Sequence, residues 1–267
     1  MFRGFYTAAS GMMTQMRREQ ILTNNLANVN TPGYKADRAA VRAFPHMLIE
    51  RINDGRPPAE SEVGPLATGV YVQETIPKFV QGDLKETGNR TDVALLQGNV
   101  PDPKGTLFFA VQNADGQIRY TRNGNFTIDP RGRLVDNAGD FVLGTDGNPI
   151  IVGDAQFKIS GDGTVIDNGQ TAGQIQVAYA ANPMNLVKEG NGLFQVPAGN
   201  NPLPSASGNA AITYQLKQGF LERSNVDIEQ SMVQLMDAFR SLQANQQVLK
   251  AYDQTMGLAV NKVGSLR

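Results

Sequence analysis

One stretch near the end of the chain limits its fold more than any other. From Ile228, the residues Ile228, Met232, Leu235, Phe239, Leu242, Gln246, Leu249, Asp253, Met256, Val260 and Val263 are spaced alternately by four and three. All but Gln246 and Asp253 are apolar. This spacing holds one stripe on one side of a helix, and its persistence over about five heptads predicts a coiled-coil seam. No proline follows Pro204, and Gly257 is the only glycine inside the run. The predicted helix covers Leu221 to Val263, with Ser224 or Asn225 as its cap and Asp227 near its positive end. At 1.5 Å per residue it is on the order of 60 Å long. A rod of that length asks for a helical partner.

A second helix is predicted over residues 3–29. Ala8, Met12, Gln15, Glu19, Leu22, Leu26 and Val29 repeat the four-three spacing, and five of those seven are apolar. A stop signal follows in Asn24-Asn25-Leu26-Ala27-Asn28-Val29-Asn30-Thr31-Pro32-Gly33-Tyr34-Lys35. Asn tolerates the left-handed conformation that ends helices, Pro32 cannot continue one, and Gly33 supplies positive φ. Asn24, Asn25, Asn28, Asn30 and Thr31 exceed what termination needs. Their side chains are candidates to tie the helix end to a neighbouring backbone.

Between the helices the period changes. Residues 36–68 read as an extended connector arm with one short helix over Pro45–Ile52. From Gly69 to about Phe220 the pattern is short alternating runs punctuated by Asp115-Gly116, Asn123-Gly124, Arg131-Gly132, Asp146-Gly147, Asp162-Gly163 and Asn168-Gly169. Asn-Gly and Asp-Gly between such runs are strong hairpin signals. Residues 69–220 therefore form an all-β domain, with 182–207 mostly loop. The fold class is α+β: terminal helices pair as an antiparallel coiled coil (1–35 with 221–267), and the β domain is inserted between them. Further apolar residues lie off the seam, namely Val226, Val233, Met236, Val248 and Leu258. Other copies of the same helices are expected to cover them. Contacts between two different patches build an open helical filament when the rotation does not close.

Composition removes several chemistries. The chain has 267 residues, no Cys, no Trp and one His. Disulfides, thiolate metal sites and thiol nucleophiles are absent. A net charge of −1 gives no global basic field for nucleic acid. No run reaches the roughly 18 apolar residues of a membrane helix, and the N-terminus does not read as a secretory signal peptide. His46 sits in the arm beside Pro45, where a packed or exposed structural role is the expectation. The Asp-Gly pairs lack the spacing of a calcium loop. No cofactor or metal is expected.

Several motifs resemble those of bacterial flagellar basal-body rod and hook proteins. They are Asn24 to Lys35; Gln81-Gly82-Asp83-Leu84-Lys85-Glu86-Thr87-Gly88 with Thr91-Asp92-Val93-Ala94-Leu95; Tyr120-Thr121-Arg122-Asn123-Gly124-Asn125-Phe126; and Gly219-Phe220-Leu221-Glu222-Arg223-Ser224-Asn225-Val226-Asp227. The pattern is most similar to the distal-rod type and its paralogues in Bacillus-like bacteria. One departure is the insertion Gln97 to Gly105 before Leu107-Phe108-Phe109.

The resemblance implies a non-enzymatic structural subunit of the rod, polymerising helically with itself and joining other axial proteins. It implies export through the flagellar type III apparatus without a cleaved signal, and a place in the basal body across the cell wall. It also implies paired terminal helices lining a tube and an outer β domain. The subunit-interface candidates are Met12, Leu22, Leu26, Val29, Ile228, Met232, Leu235, Phe239, Leu242, Leu249, Met256 and Val260. The motif residues are Asn24, Asn25, Asn28, Thr31, Pro32, Gly33 and Tyr34. The rival readings are a hook subunit and, from another class, a secreted wall-acting hydrolase or glycan-binding β module. The second rival needs a positioned acid or nucleophile, or exposed aromatics for sugars.

Overall fold

In the computed structural model, residues 2–45, 47–50, 62–153 and 156–264 are described. Helix α1 spans Phe2–Ala27 and helix α2 spans Ile228–Gly264, with short antiparallel strands between them. The chain divides into two compact units. One holds both helices and the arm, as Met1–Ala27, Asp37–Ile76 and Asp227–Arg267; the other holds Asn28–Ala36 and Pro77–Val226.

In the first unit α1 packs on α2. Gly4 lies against the Tyr252 ring, and a Cβ on Gly11 would sit 3.1 Å from Asn245 Nδ2. The two contacts run in opposite directions along the sequence, so the helices are antiparallel neighbours. The row of α2 withdrawn from solvent is Ser231, Leu235, Ala238, Leu242, Asn245, Leu249, Tyr252 and Met256. It keeps the four-three spacing but is offset from the row expected from sequence. Leu235, Leu242, Leu249 and Met256 belong to both rows. Ile228, Met232, Phe239 and Val260 are exposed instead. Gly4 makes room for Tyr252 and Gly11 for Asn245 on that row, and the small Ser231 and Ala238 continue it towards the start of α2. The side chain of Val263 lies outside the described residues.

The start of α2 also differs from expectation. Leu221 and Glu222 are in strand Phe220–Glu222, and the helix begins at Ile228. Its cap is Asp227, whose Oδ1 accepts from Gln230 N–H at 3.0 Å while its carbonyl accepts from Ser231 N–H at 3.0 Å. Ser224 and Asn225 bind elsewhere: Ser224 Oγ accepts from Val226 N–H, and Asn225 serves the joint described below.

The arm is built of strands. Asp37–Ala43 pairs with Val70–Pro77, and Met47–Glu50 pairs antiparallel with Glu62–Leu66. Residues 47–50 are therefore strand where a short helix was expected; the rest of that stretch, residues 46, 51 and 52, lies outside the described residues, as does His46. So few residues make a marginal helix, whereas strand pairing satisfies their backbone at once. Thr7 Oγ1 donates to Thr68 O at 2.9 Å and Thr14 Oγ1 to Val70 O at 3.0 Å, fastening α1 to this strand.

The second unit centres on strand Thr106–Gln112, which is buried on both faces. Leu107, Phe109 and Val111 enter one hydrophobic core, with Phe126, Phe157 and Ile175. Phe108 and Ala110 enter another, with Tyr120, Leu143 and Phe194. This is the period-two rule applied to a strand covered on each side. The strand belongs to an eight-stranded antiparallel sheet. Leu193–Gln195 joins that sheet beside Ile118–Thr121, so the region 182–207 is more ordered than its prolines suggest. Phe194 is the reason, since its ring packs 5.5 Å from Phe108. Gly132, Gly147 and Gly163 take positive φ in their turns, as Asp-Gly and Arg-Gly pairs predict. Gly124 does not; it is needed because a Cβ there would lie 1.7 Å from Val93 O. The 97–105 insertion is held at its ends. Gly98 N–H donates to Thr213 O at 2.8 Å, and Tyr179 Oη donates to Asp102 Oδ2 at 2.7 Å.

Candidate functional site

Two places concentrate the sequence-predicted residues. The first is the outer surface of the helices. Of the α1 candidates, Leu22 is buried and Met12 and Leu26 are half-buried, and Val29 lies beyond the helix end. On α2, Leu242 is buried and Leu235, Leu249 and Met256 are half-buried. The exposed members find company that the predicted stripe did not contain. Ile228, Met232, Val233, Met236 and Phe239 lie within the first turns of α2, and Val233 and Met236 are each 60% exposed. Farther along, that flank becomes Gln243, Gln246, Gln247 and Lys250. On α1, Tyr6, Met13 and Met16 are exposed at spacings of seven and three, with Met13 at 70%. Single exposed apolar residues are ordinary; large ones grouped on one helix surface mark an interaction site.

The second place is the joint formed by the signature segments in the β-bearing unit. Gly33, at φ +68, donates its N–H to Glu222 O at 2.8 Å. A Cβ there would fall 2.4 Å from the Arg122 carbonyl carbon, so the position needs glycine on both counts. Tyr34 is buried, and Lys188 Nζ lies 4.6 Å from its ring centre. Asn225 reads the same joint: its Oδ1 accepts from Ala36 N–H at 2.7 Å, and its Nδ2 donates to Lys78 O and Val80 O.

At the centre is Glu222, 1% exposed. Its Oε1 accepts from Lys35 Nζ at 2.5 Å and from Gly82 N–H at 2.9 Å. Its Oε2 receives Arg122 Nε at 2.8 Å and Nη2 at 2.7 Å. Arg122 also donates to Leu107 O and Leu95 O, and Lys35 to Val80 O. Buried ions persist only when paired and hydrogen-bonded, and these are. Burial holds the Lys35 ammonium down to about 8, Arg122 adding to the effect and Glu222 opposing it.

The motif residues of the helix end divide between two tasks. Asn25 is buried and clasps the backbone of Asp37, its Oδ1 accepting from Asp37 N–H and its Nδ2 donating to Asp37 O, both at 2.8 Å. It makes the helix-to-backbone link that the Asn-rich run suggested. Asn28 and Thr31 form a local turn, with Thr31 Oγ1 donating to Asn28 Oδ1 at 3.1 Å. Asn24 is exposed and Pro32 half-buried.

Sequence reasoning missed the ion cluster. Each of its three members closes or interrupts a quoted motif: Lys35, Arg122 and Glu222. The signal was a charge inside an otherwise turn- and strand-forming segment, but nothing in one sequence says that three such charges meet.

Those three segments lie in or beside regions matched by known families. Residues 5–35 match "Flagella basal body rod protein", residues 104–168 match "Flagellar hook protein FlgE/F/G D1 domain", and residues 217–262 match "Flagellar basal body rod FlgEFG protein C-terminal". The flagellar hook-basal body complex protein FlhO of Bacillus subtilis (strain 168) is 46% identical over 273 residues, covering 100% of each chain. The chain belongs to the flagellar basal-body rod and hook family. The flagellar basal-body rod protein FlgG of Borreliella burgdorferi is 33% identical over 98% of each chain. FlgG of Bacillus subtilis is 32% identical over 98% of this chain and 99% of its own. Members of this flagellar family are structural proteins, so the chain is a structural basal-body protein and not an enzyme. The hydrolase and glycan-module readings fall with that assignment. Among the described residues no helix is long and apolar enough to cross a membrane.

Proposed function

We propose that the chain is a rod subunit that polymerises helically into the axial shaft turned during flagellum-dependent motility. In this reading residues 1–35 and 221–267 are the polymerisation domain and pair as an antiparallel coiled coil. Residues 36–68 are a connector arm and 69–220 the β domain. Other copies of the same helices cover the exposed apolar rows, Tyr6, Met13 and Met16 on α1 and Ile228, Met232, Met236 and Phe239 on α2. Two different rows meeting between copies is a heterologous contact, which generates a filament when it does not close into a ring. The subunit leaves the cell through the flagellar type III export apparatus and takes its place outside the cytoplasmic membrane, crossing the cell wall with the other axial proteins.

The observation that carries the reading is the 46% identity to FlhO along the full length of both chains. The exposed rows of apolar side chains support the self-assembly part. Fractionation of purified basal bodies tests it. The protein is expected in the rod fraction, and its deletion should abolish or severely reduce swimming. Recovery only in detached hooks would favour the hook reading instead. Recovery in neither fraction, with normal swimming on deletion, would reject both.

A further inference from the structure

Beside the Glu222 cluster is a cavity of about 190 Å³ lined by Lys35, Phe79, Gln81, Gln97, Gly98, Thr106 and Arg122. Its chemistry is one-sided. The cluster holds two cations and one carboxylate, and Glu222 and Arg122 are the charges that act on Lys35. One positive charge is therefore left over in a place where Lys35 and Arg122 are each only 2% exposed. Leaving a buried charge uncompensated is costly.

The cavity walls also carry spare donors. Among the described residues, Lys35 Nζ uses two of its three N–H groups, on Val80 O and Glu222. Gln81 accepts from Gln97 N–H through Oε1, which leaves its Nε2 as a donor. Thr106 is 4% exposed, and among the described residues its hydroxyl makes no hydrogen bond to the protein. Gln97 spends its amide on Gly105 O and Leu107 N–H and serves as a fixed wall.

We propose that this cavity binds one compact monoanion, of the size range from chloride to formate, held by Lys35, Arg122, Gln81 and Thr106. A single negative charge balances the cluster, whereas a dianion would reverse its sign. The proposal does not depend on assembly, since every lining residue lies in the β-bearing unit.

The test uses the full chain at pH 7. Sodium lactobionate, a disaccharide acid larger than the cavity, is replaced stepwise by sodium chloride, nitrate or formate at constant ionic strength, and unfolding of the β-bearing unit is followed by near-ultraviolet circular dichroism. A ligand that binds only the folded state raises the midpoint. The expected rise is about 3 °C at saturating anion. Sodium sulfate stabilises folded proteins generally by exclusion from their surface, so its rise should be the same in wild type and in Thr106→Val. Thr106→Val keeps the shape but removes the hydroxyl and should lose most of the chloride response, while Thr106→Ser keeps it. A second readout is chloride-35 line width, which should broaden with wild-type protein and narrow again when formate is added. That readout stands even if Thr106→Val fails to fold. Equal midpoints in lactobionate and in all three monoanions, a chloride rise as large in Thr106→Val as in wild type, or no chloride broadening would each overturn the proposal.

Discussion

Strand Thr106–Gln112 and helix α2 are both rich in apolar side chains, yet they treat them oppositely. The strand buries Leu107, Phe108, Phe109, Ala110 and Val111 completely, odd residues in one core and even residues in the other. The helix hides one row against α1 and leaves Met232, Val233, Met236 and Phe239 in water. Each fully buried large side chain is favourable by about 1.5–3 kcal/mol, so the strand draws on all of its apolar residues within one chain. The helix does not. The β-bearing unit holds its large core within one chain; on the proposed function, the exposed rows of the helical unit are surface that a second molecule would cover.

Substitutions that break this comparison can be ordered by size. Glu222→Ala should have the largest effect, at the upper end of about 3–5 kcal/mol, because it strands two buried cations. Urea unfolding of the β-bearing unit measures it. Next come two matched truncations. Phe109→Ala, in the core, should cost about 3–5 kcal/mol of monomer stability. Phe239→Ala, on the exposed row, should cost under about 0.5 kcal/mol in the dilute monomer while weakening self-association. Similar monomer losses for the two phenylalanines would erase the distinction between the units.

The pH dependence sharpens the account of the joint. Lys35 has a folded value of about 8 against an ordinary 10.5, so between those values the unfolded chain holds the extra proton. Stability should therefore rise with pH from about 8 towards 10, by up to about 3 kcal/mol. Burial raises Tyr120, Tyr179 and Tyr214 above the ordinary phenol value. These groups act in the opposite sense, and stability should fall again above about pH 10. Urea melts across pH 7–11 should show the maximum, and Lys35→Met should remove the rising limb. A smaller effect than either buried-site change is expected at Gly219, which has φ +80 and open space where a Cβ would lie. Gly219→Ala should cost about 1 kcal/mol, from backbone conformation alone.

Much of the architecture was legible because it rests on local rules. Two periods, 3.5 and 2, separate the helices from the β region, and the Asp-Gly turns at 146–147 and 162–163 follow from glycine's access to positive φ. What escaped depends on three dimensions. The stripe through Met232 and Phe239 is a genuine heptad row, yet α1 packs on the neighbouring row through Ala238 and Asn245, where Gly11 makes room for Asn245. Only the partner's surface decides between two adjacent rows. Likewise Asn25 was singled out for its type, whereas Lys35, Arg122 and Glu222 are separated by 87 and 100 residues and meet only after the sheets form. The short strand 47–50 was read as helix because four apolar-rich residues carry no clear period.

The central claim is that the exposed helix rows are unfinished surface completed by sibling molecules. Sedimentation velocity of the full chain over a wide concentration range tests it most directly, with wild type beside the double variant Met232→Glu, Met236→Glu. The account predicts that wild type forms a growing series of oligomers while the variant remains monomeric, its β-bearing unit unfolding as in wild type. A wild type that stays monomeric at the highest concentration, or a variant that associates equally well, would contradict it.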